Sequence, residues 1–446
     1  MKGFVNLPRD HRSSGERTRP RVLVSAPRQD DLFSLISSVF GEKSAMAGRH
    51  SPAREGACAP QSEDRASSGM TTMVTRRNFT RTLAGAATLM TLRPVLAWAA
   101  NEPKPSADAA KLYRDSFILD CNALASIGSL HGRSNQEEIT RVIRESGVTV
   151  LKATLGGAMG GFEAAVMDIA AAEQLMEKRG DLFLKVRTAG DLERAKKEQK
   201  LGVIYSFESA AMLEDKVERI ELFRELGVRV MQLNYNRRTP FGVGCLDGET
   251  DGVTELGRKA IAKMNEIGVA LDLSHSNTKT TADGIAASTK PPLITHAGCR
   301  AVHMHPRNKE DREMKALADK GGVFGVYMLP YITASPKQPM RDDYMQHLEH
   351  ALKICGEDHV GVGTDVPFFQ VDESDLEEMK IATEKRKADG IAAPGEDRPV
   401  YIPDMNTPRK MELIADALLK RGHKSGVVEK VMGANFKRVF GEIWTA

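Results

Sequence analysis

The chain has few cysteines, and their spacing does not suit a thiolate metal site. Its 446 residues include five: Cys58, Cys121, Cys245, Cys299 and Cys355. None of them forms a CxxC pair, which argues against thiolate zinc sites and thioredoxin-like chemistry. A disulfide remains open, because sequence alone cannot pair these residues.

An excess of charge of one sign is also missing. The 63 lysines and arginines nearly balance the 60 aspartates and glutamates, and the formal net charge is +3. The chain has no basic helix and no stripe of basic and aromatic residues, so we expect no nucleic-acid partner. The hydrophobic content of 41% is ordinary for a soluble globular protein.

The front of the chain lacks an apolar run long enough for a comfortable membrane span. Arg76 and Arg77 precede a weakly apolar stretch at 83–92, and the segment closes on the small-residue sequence AWAA. We interpret 70–100 as a twin-arginine export signal, which predicts a periplasmic or extracellular protein without a stable membrane span after cleavage. An amphipathic helix or a retained anchor is the alternative. Residues 1–69 have no sustained period and are interpreted as a disordered extension or a mis-assigned start.

From about residue 112, short apolar runs alternate with amphipathic helical stretches. Such near-continuous apolar runs predict parallel strands covered by helices on both faces. No GxGxxG follows the first strand, which disfavours a dinucleotide-binding open sheet. We therefore predict that 101–446 is a single α/β domain, a (β/α)₈ TIM-type barrel, with an open doubly wound sheet as the alternative. The predicted strands are 116–121, 148–154, 201–207, 228–234, 269–275, 292–296, 323–328 and 360–365, with a weaker run at 182–186.

Four of these strands end in residues of metal-ligand type: Glu208, His275, His296 and Asp365. In a (β/α)₈ barrel the active site is built at the C-terminal ends of the strands. Two imidazoles and two carboxylates suit zinc, with manganese or iron as alternatives. Taken singly, each histidine could be structural, Asp365 could cap a helix, and Glu208 could pair with an arginine. We expect all four to converge around one cation, because they share one end of the barrel.

Six blocks of sequence between 201 and 369 resemble the membrane (renal) dipeptidases and their bacterial relatives, and the chain looks like a bacterial exported member. The blocks are GVIYSFESA, VRVMQLNYNRRTPFG, LGRKAIAKMNEIGVALDLSHSN, LITHAGCRAVHMHPRN, GGVFGVYMLPYI and HVGVGTDVPFF. The family comprises amidohydrolase-like metal-dependent barrels with two zinc ions bridged by a glutamate. The resemblance covers most of the chain after residue 100 and is weaker between about 120 and 200.

The resemblance implies a role for each matching residue. Glu208 matches the bridging glutamate, and His275 and His296 match the paired histidines of one zinc ion. Asp365 matches the aspartate near the catalytic water and the substrate amino group. Arg307 matches the arginine that holds the substrate carboxylate, and Tyr235 replaces a histidine beside the scissile carbonyl.

The chain departs from the family at its first strand. The family has a His-x-Asp motif there for the other zinc ion, whereas this chain reads ILDCNALAS. Asn122 and Leu124 stand at the two matching places. Asp120 and Asn122 are nearby donors and further candidates for metal binding. The count of zinc ions, one or two, is therefore open, and the loss of the motif favours a mononuclear site.

These observations predict an exported metallo-dipeptidase that hydrolyses the amide bond of small dipeptides with a metal-activated water. The alternatives are a catalytically degraded barrel that acts as a binding protein, or a related hydrolase of another amide or ester. The family tends to dimerise, so a homodimer is also open. Residues 367–403 are expected to form a long loop and a helix over the mouth of the barrel.

Overall fold

The computed structural model describes residues 104–123, 136–158 and 160–444. They fall within the second of two compact units, Thr88–Ala446. The extension at 1–69 and the export signal at 70–100 lie outside the described residues and stay predictions. Within the described ranges, no helix combines the length and the apolar character that crossing a membrane requires.

Eight parallel strands form the barrel. Each strand pairs with the next one along the chain, except that the third strand pairs with the fourth from outside the closed path and the second pairs directly with the fourth. The first and last strands meet, because the Cys121 N–H donates to the Val362 carbonyl at 2.9 Å and the Asp365 N–H donates to the Asn122 carbonyl at 2.6 Å. The predicted (β/α)₈ barrel is confirmed. The strands are β1 Leu119–Asp120, β2 Val150–Thr154, β3 Phe183–Lys185, β4 Leu201–Phe207, β5 Val228–Gln232, β6 Ala270–Asp272, β7 Leu293–Ala297, β8 Val323–Val326 and β9 Val360–Val362.

Several strands are shorter than their apolar runs predicted. The run at 269–275 gives only β6, and the run at 360–365 gives only β9. The polar residues that close these runs, His275 and Asp365, belong to loops instead. The weak run at 182–186 is a real strand, β3, outside the closed barrel.

Helices alternate with these strands. Several begin at a side chain that accepts a hydrogen bond from the first turn, as Thr188, Thr254 and Asn277 do. Gly268 ends one helix with a φ of 71°, a conformation that suits glycine. The helices are α1 Ala107–Asp115, α2 Gln136–Ser146, α3 Phe162–Lys178, α4 Ala189–Glu198, α5 Arg219–Glu225, α6 Glu255–Ile267, α7 Thr278–Ala287, α8 Asp311–Asp319, α9 Arg341–Cys355, α10 Glu373–Ala388, α11 Lys410–Lys420, α12 Ser425–Glu429 and α13 Asn435–Ile443.

One apolar cluster joins the first residues of several strands to the C-terminal helix α13. It includes Leu119, Val150 and Leu293 together with Phe436 and Phe440, all fully buried. A side chain at Gly361 in β9 would clash with the Phe436 ring, so the missing Cβ makes room for this aromatic side chain. The cluster therefore fills the region around the strand N-termini with apolar side chains, and the polar strand ends lie at the opposite end.

We expect Phe436→Ala to lower the free energy of unfolding by about 3–5 kcal/mol, because it leaves a cavity beside Gly361 of β9 that no neighbouring side chain fills. Phe436→Leu should lose less, since it keeps most of the apolar contact. Urea denaturation followed by circular dichroism measures both. Met167→Ala, at a side chain that is 57% exposed, is the control and should stay within about 0.5 kcal/mol. Equal stability of Phe436→Ala and wild type would contradict this packing argument.

Candidate active site

Three side chains meet at the C-terminal ends of β4, β6 and β7. Glu208 directly follows β4, His275 lies three residues after β6, and His296 is the penultimate residue of β7. Their nearest donor atoms all lie within 4.8 Å of one another. The two Nε2 atoms are 3.0 Å apart, and each lies 3.8 Å from a carboxylate oxygen of Glu208. All three residues are buried.

Hydrogen bonds behind the two imidazoles fix their tautomers. The amide nitrogen of Asn236 donates to the Ile391 carbonyl at 2.8 Å, so its Oδ1 faces His275 Nδ1 at 2.7 Å and accepts a proton from it. The Thr295 hydroxyl donates to Asp272 Oδ2 at 2.6 Å and therefore accepts from His296 Nδ1 at 2.8 Å. With both Nδ1 atoms protonated, each Nε2 presents a lone pair.

Burial keeps both imidazoles neutral. Desolvation first, and then the charge of Arg307, hold the pKa of His275 and of His296 well below the ordinary value for histidine. Two lone pairs and a carboxylate thus face one another in a buried space. The Arg307 guanidinium donates to one of them, at 3.2 Å from His275 Nε2, and a cation between the three groups would compensate the remaining repulsion. Two histidines and one glutamate are also a ligand set of catalytic zinc sites that keep an open position. The donor set therefore fits one metal ion.

Asp365 lies beside this group and is not part of it. It follows β9 with a φ of 55°, a strained conformation for a residue with a side chain. Its Oδ1 accepts from Asn122 Nδ2 at 2.9 Å. Burial, and then the Glu208 carboxylate, raise the pKa of Asp365 well above its usual value. The expectation that four residues surround one cation is therefore corrected to three, with Asp365 linked to Glu208 through Asn122.

A cavity of about 800 Å³ opens above these residues. Glu208, His275, Asp365 and Tyr235 form part of its wall. The rest of the wall includes residues of the predicted loop and helix at 367–403, among them Phe369 in the loop before α10 and Arg386 within the helix. Of the residues of α10, all of which are described, none is buried. This segment shapes the cavity, as its length suggested.

Tyr235 packs directly on the candidate ligand His275. The two rings are stacked with their centroids 4.0 Å apart. Burial raises the pKa of Tyr235, so its phenol stays protonated and can donate a hydrogen bond. The guanidinium of Arg386 lies 5.3 Å from the centre of the Tyr235 ring.

Arg307 lies behind the histidines. Its side chain is fully buried and donates to the backbone carbonyls of Ser274 and His296, while Nη2 lies 3.2 Å from His275 Nε2. Its Nε atom has no hydrogen-bond partner among the described residues. The structure therefore brings Arg307 to the candidate ligands but not to the wall of the cavity.

Asp120 and Asn122, the two further candidate donors at the end of β1, have different partners. The carboxylate of Asp120 accepts from the backbone and the hydroxyl of Thr364 at 2.9 and 2.6 Å, so it joins the first and last strands and stands outside the three-residue group. Asn122 directs its amide nitrogen at Glu208 Oε1 and at Asp365 Oδ1, both at 2.9 Å. A donor group in that orientation cannot bind a cation. Leu124 lies outside the described residues.

Sequence reasoning missed several residues that contact this site, including Asn236 and Thr295 behind the imidazoles and two residues of β2. The Lys152 ammonium donates to Asn122 Oδ1 at 2.7 Å, and the Thr154 hydroxyl donates to Glu208 Oε1 at 2.8 Å. The lysine left a signal in the sequence, because it interrupts the otherwise apolar strand VTVLKAT. The threonine left none, since threonine is common in strands.

Residues 136–383 match the family model described as membrane dipeptidase (Peptidase family M19). The chain belongs to this family. A solved structure described as an amidohydrolase from Pseudomonas aeruginosa is 32% identical, with a TM-score of 0.65 over 76% of this chain and 99% of that chain. The resemblance found in the sequence blocks is confirmed.

Two other similar proteins share less sequence with this chain. The dipeptidase tcpJ of Claviceps purpurea is 24% identical over 61% of this chain, and the chain spans 58% of that protein's length. A metallo peptidase from Rhodobacter sphaeroides, solved with a phosphinate mimic of the dipeptide L-Ala-D-Ala, is 20% identical with a TM-score of 0.60, over 74% of this chain and 100% of that chain. At that identity the likeness shows a common fold.

We expect Thr295→Val to weaken zinc binding by about 10–100-fold, because the His296 tautomer loses the hydroxyl that orients it. Competition with a chromophoric chelator measures the dissociation constant. Thr280→Val is the matched control, since it removes a buried hydroxyl that accepts from the Val243 N–H away from the ligands. Zinc affinity of Thr295→Val equal to that of the control would show that this hydroxyl does not orient the ligand.

Proposed function

We propose that this protein is a metal-dependent dipeptidase that hydrolyses the amide bond of small dipeptides. The observation that carries the proposal is the convergence of Glu208, His275 and His296, all acceptors, at the open end of a barrel of the membrane dipeptidase family. A cavity of about 800 Å³ is ample for a dipeptide. The Claviceps relative is named a dipeptidase, and the Rhodobacter relative was solved with a dipeptide mimic.

Glu208, His275 and His296 would hold the metal ion. Zinc suits two imidazoles and a carboxylate best, with manganese or iron as alternatives. An ion bound there lowers the pKa of a water molecule towards neutrality and polarises the amide carbonyl. The tautomers fixed by Asn236 and Thr295 keep both Nε2 atoms available to it.

Asp365 is proposed as the general base. Its Oδ1 accepts a hydrogen bond from Asn122, so we propose that Oδ2 is the oxygen that takes the proton from water. Burial, and then the Glu208 carboxylate, raise its pKa, which makes the carboxylate a stronger base for taking a proton from water and passing it to the leaving amine.

Two further residues are proposed to bind the substrate. The neutral phenol of Tyr235, stacked on His275, would donate a hydrogen bond to the oxygen that develops charge. Arg307, which the resemblance implies for the terminal carboxylate, is fully buried and absent from the cavity wall, so we propose Arg386, which lines the cavity, for that role. The Nε and Nη2 atoms of Arg386 bind the Glu396 carboxylate at 2.8 and 2.9 Å, so a substrate carboxylate would share this guanidinium with Glu396.

Dipeptide hydrolysis by the purified protein, with and without a chelator, tests the proposal. We expect chelation to abolish turnover and added zinc to restore it. Asp365→Asn should lower kcat by about 10²–10⁴-fold, because the general base is lost. Asp319→Asn, at an exposed residue paired with Lys315, is the control and should retain wild-type rates.

Other outcomes would point to the alternatives. Bound metal without dipeptide turnover would favour a related hydrolase of another amide or ester. A folded protein with neither metal nor turnover would favour a binding protein on a degraded barrel.

A further inference from the structure

Lys152 places a positive charge inside the barrel beside the candidate active site. The residue lies in β2 and is fully buried. Its ammonium donates to Asn122 Oδ1 at 2.7 Å and to Ser206 Oγ at 3.2 Å. The Ser206 hydroxyl donates in turn to the Ala153 carbonyl at 2.9 Å, so its oxygen is free to accept from the lysine. A buried charge is costly unless its surroundings compensate it, so the nearby carboxylates matter.

The lysine determines which way the Asn122 amide points. An ammonium group only donates hydrogen bonds, so the atom of Asn122 that faces Lys152 must be the carbonyl oxygen. The amide nitrogen then faces the opposite side, where it donates one hydrogen to Glu208 Oε1 and the other to Asp365 Oδ1. Both donors and the carbonyl of this side chain are thereby used. The charge of Lys152 polarises the Asn122 amide, which strengthens the hydrogen bonds that this amide donates to the two carboxylates.

This arrangement changes what Glu208 can do. Its Oε1 accepts from Asn122 at 2.9 Å and from Thr154 at 2.8 Å, which occupies both lone pairs of that oxygen. Its Oε2, which has no such donors, lies 3.8 Å from His275 Nε2, and the occupied Oε1 lies 3.8 Å from His296 Nε2. The carboxylate can therefore present one oxygen to an ion beside the histidines, but it cannot bridge to a second ion on the Asn122 side.

We propose that the Lys152–Asn122 pair takes the place of the second metal ion in this protein, so that the site holds one ion, bound by Glu208, His275 and His296. A cation on the other side of Glu208 would meet the hydrogens of the Asn122 amide, with the positive charge of Lys152 behind that amide. Lys152 is a positioning residue: it acts through Asn122, which holds the carboxylates of Glu208 and Asp365. The inference rests on the proposed function, because it concerns the metal ion of that same site.

Counting bound metal in the full-length wild-type protein is the direct test. The protein is loaded with excess zinc, passed into metal-free buffer, and measured by elemental analysis and by calorimetric titration. We expect one zinc ion per chain at saturation. Two ions per chain would overturn the inference, whatever the catalytic activity.

A double variant tests the cause. Asn122→Asp with Lys152→Met replaces the donor amide by an acceptor and removes the competing charge, so a second zinc ion should bind and the count should rise from one to two. A folded double variant that still binds one ion would contradict the inference. Lys185→Met is the matched control, because that lysine of β3 pairs with Glu173 and contacts none of the site residues. Its count should remain at one.

Circular dichroism and thermal melting establish that each variant is folded. If the double variant does not fold, the wild-type count still decides. Dipeptide turnover measured on the same samples separates this inference from the proposed function. Dipeptide turnover by a protein that binds two ions would contradict the inference and support the proposed function. One ion without turnover would remove the function and leave the inference, and no bound ion would overturn both.

Discussion

The repulsion among three buried acceptors is the constraint on which the site depends. The Nε2 atoms of His275 and His296 lie 3.0 Å apart with the Glu208 carboxylate beside them. Barrel closure brings these groups together, since each follows or ends a different strand. Thr295 and Asn236 then hold the imidazoles in the tautomer that maximises the repulsion. Such an arrangement is stable in a low-dielectric interior when a cation compensates it.

Buried carboxylates serve two purposes in this barrel, and their partners tell the purposes apart. Asp120 and Asp272 each accept a hydrogen bond of 2.6 Å from a threonine hydroxyl, Asp120 from Thr364 in the loop after β9 and Asp272 from Thr295 in β7. One contact joins the last strand to the first, and the other joins β6 to β7. Neither aspartate takes part in the three-residue group. A carboxylate near a strand end is therefore structural when neighbouring strands saturate it with donors, and it is a candidate ligand when acceptors face it.

The sequence predicted where the site would form, because alternating strands and helices bring all strand C-termini to one end. It grouped Glu208, His275 and His296 but could not predict which polar residues would form hydrogen bonds with them. Asn122 and Lys152 are 30 positions apart, and only the β1–β2 register makes them neighbours. The strands before His275 and Asp365 were also predicted too long, because the apolar pattern of the sequence continues into the loops that carry these two side chains. Periodicity reports burial, whereas hydrogen-bond partners depend on register.

A lysine differs from a metal ion in ways that bear on the chemistry. It carries one positive charge, it cannot exchange, and it binds no substrate oxygen as a Lewis acid. It can nevertheless stabilise two neighbouring carboxylates permanently, without depending on metal supply. If Lys152 takes that place, as we propose, electrophilic activation would fall to a single ion held by Glu208, His275 and His296. Proton transfer would then depend on Asp365, whose Oδ1 accepts from the same Asn122 amide that Lys152 orients.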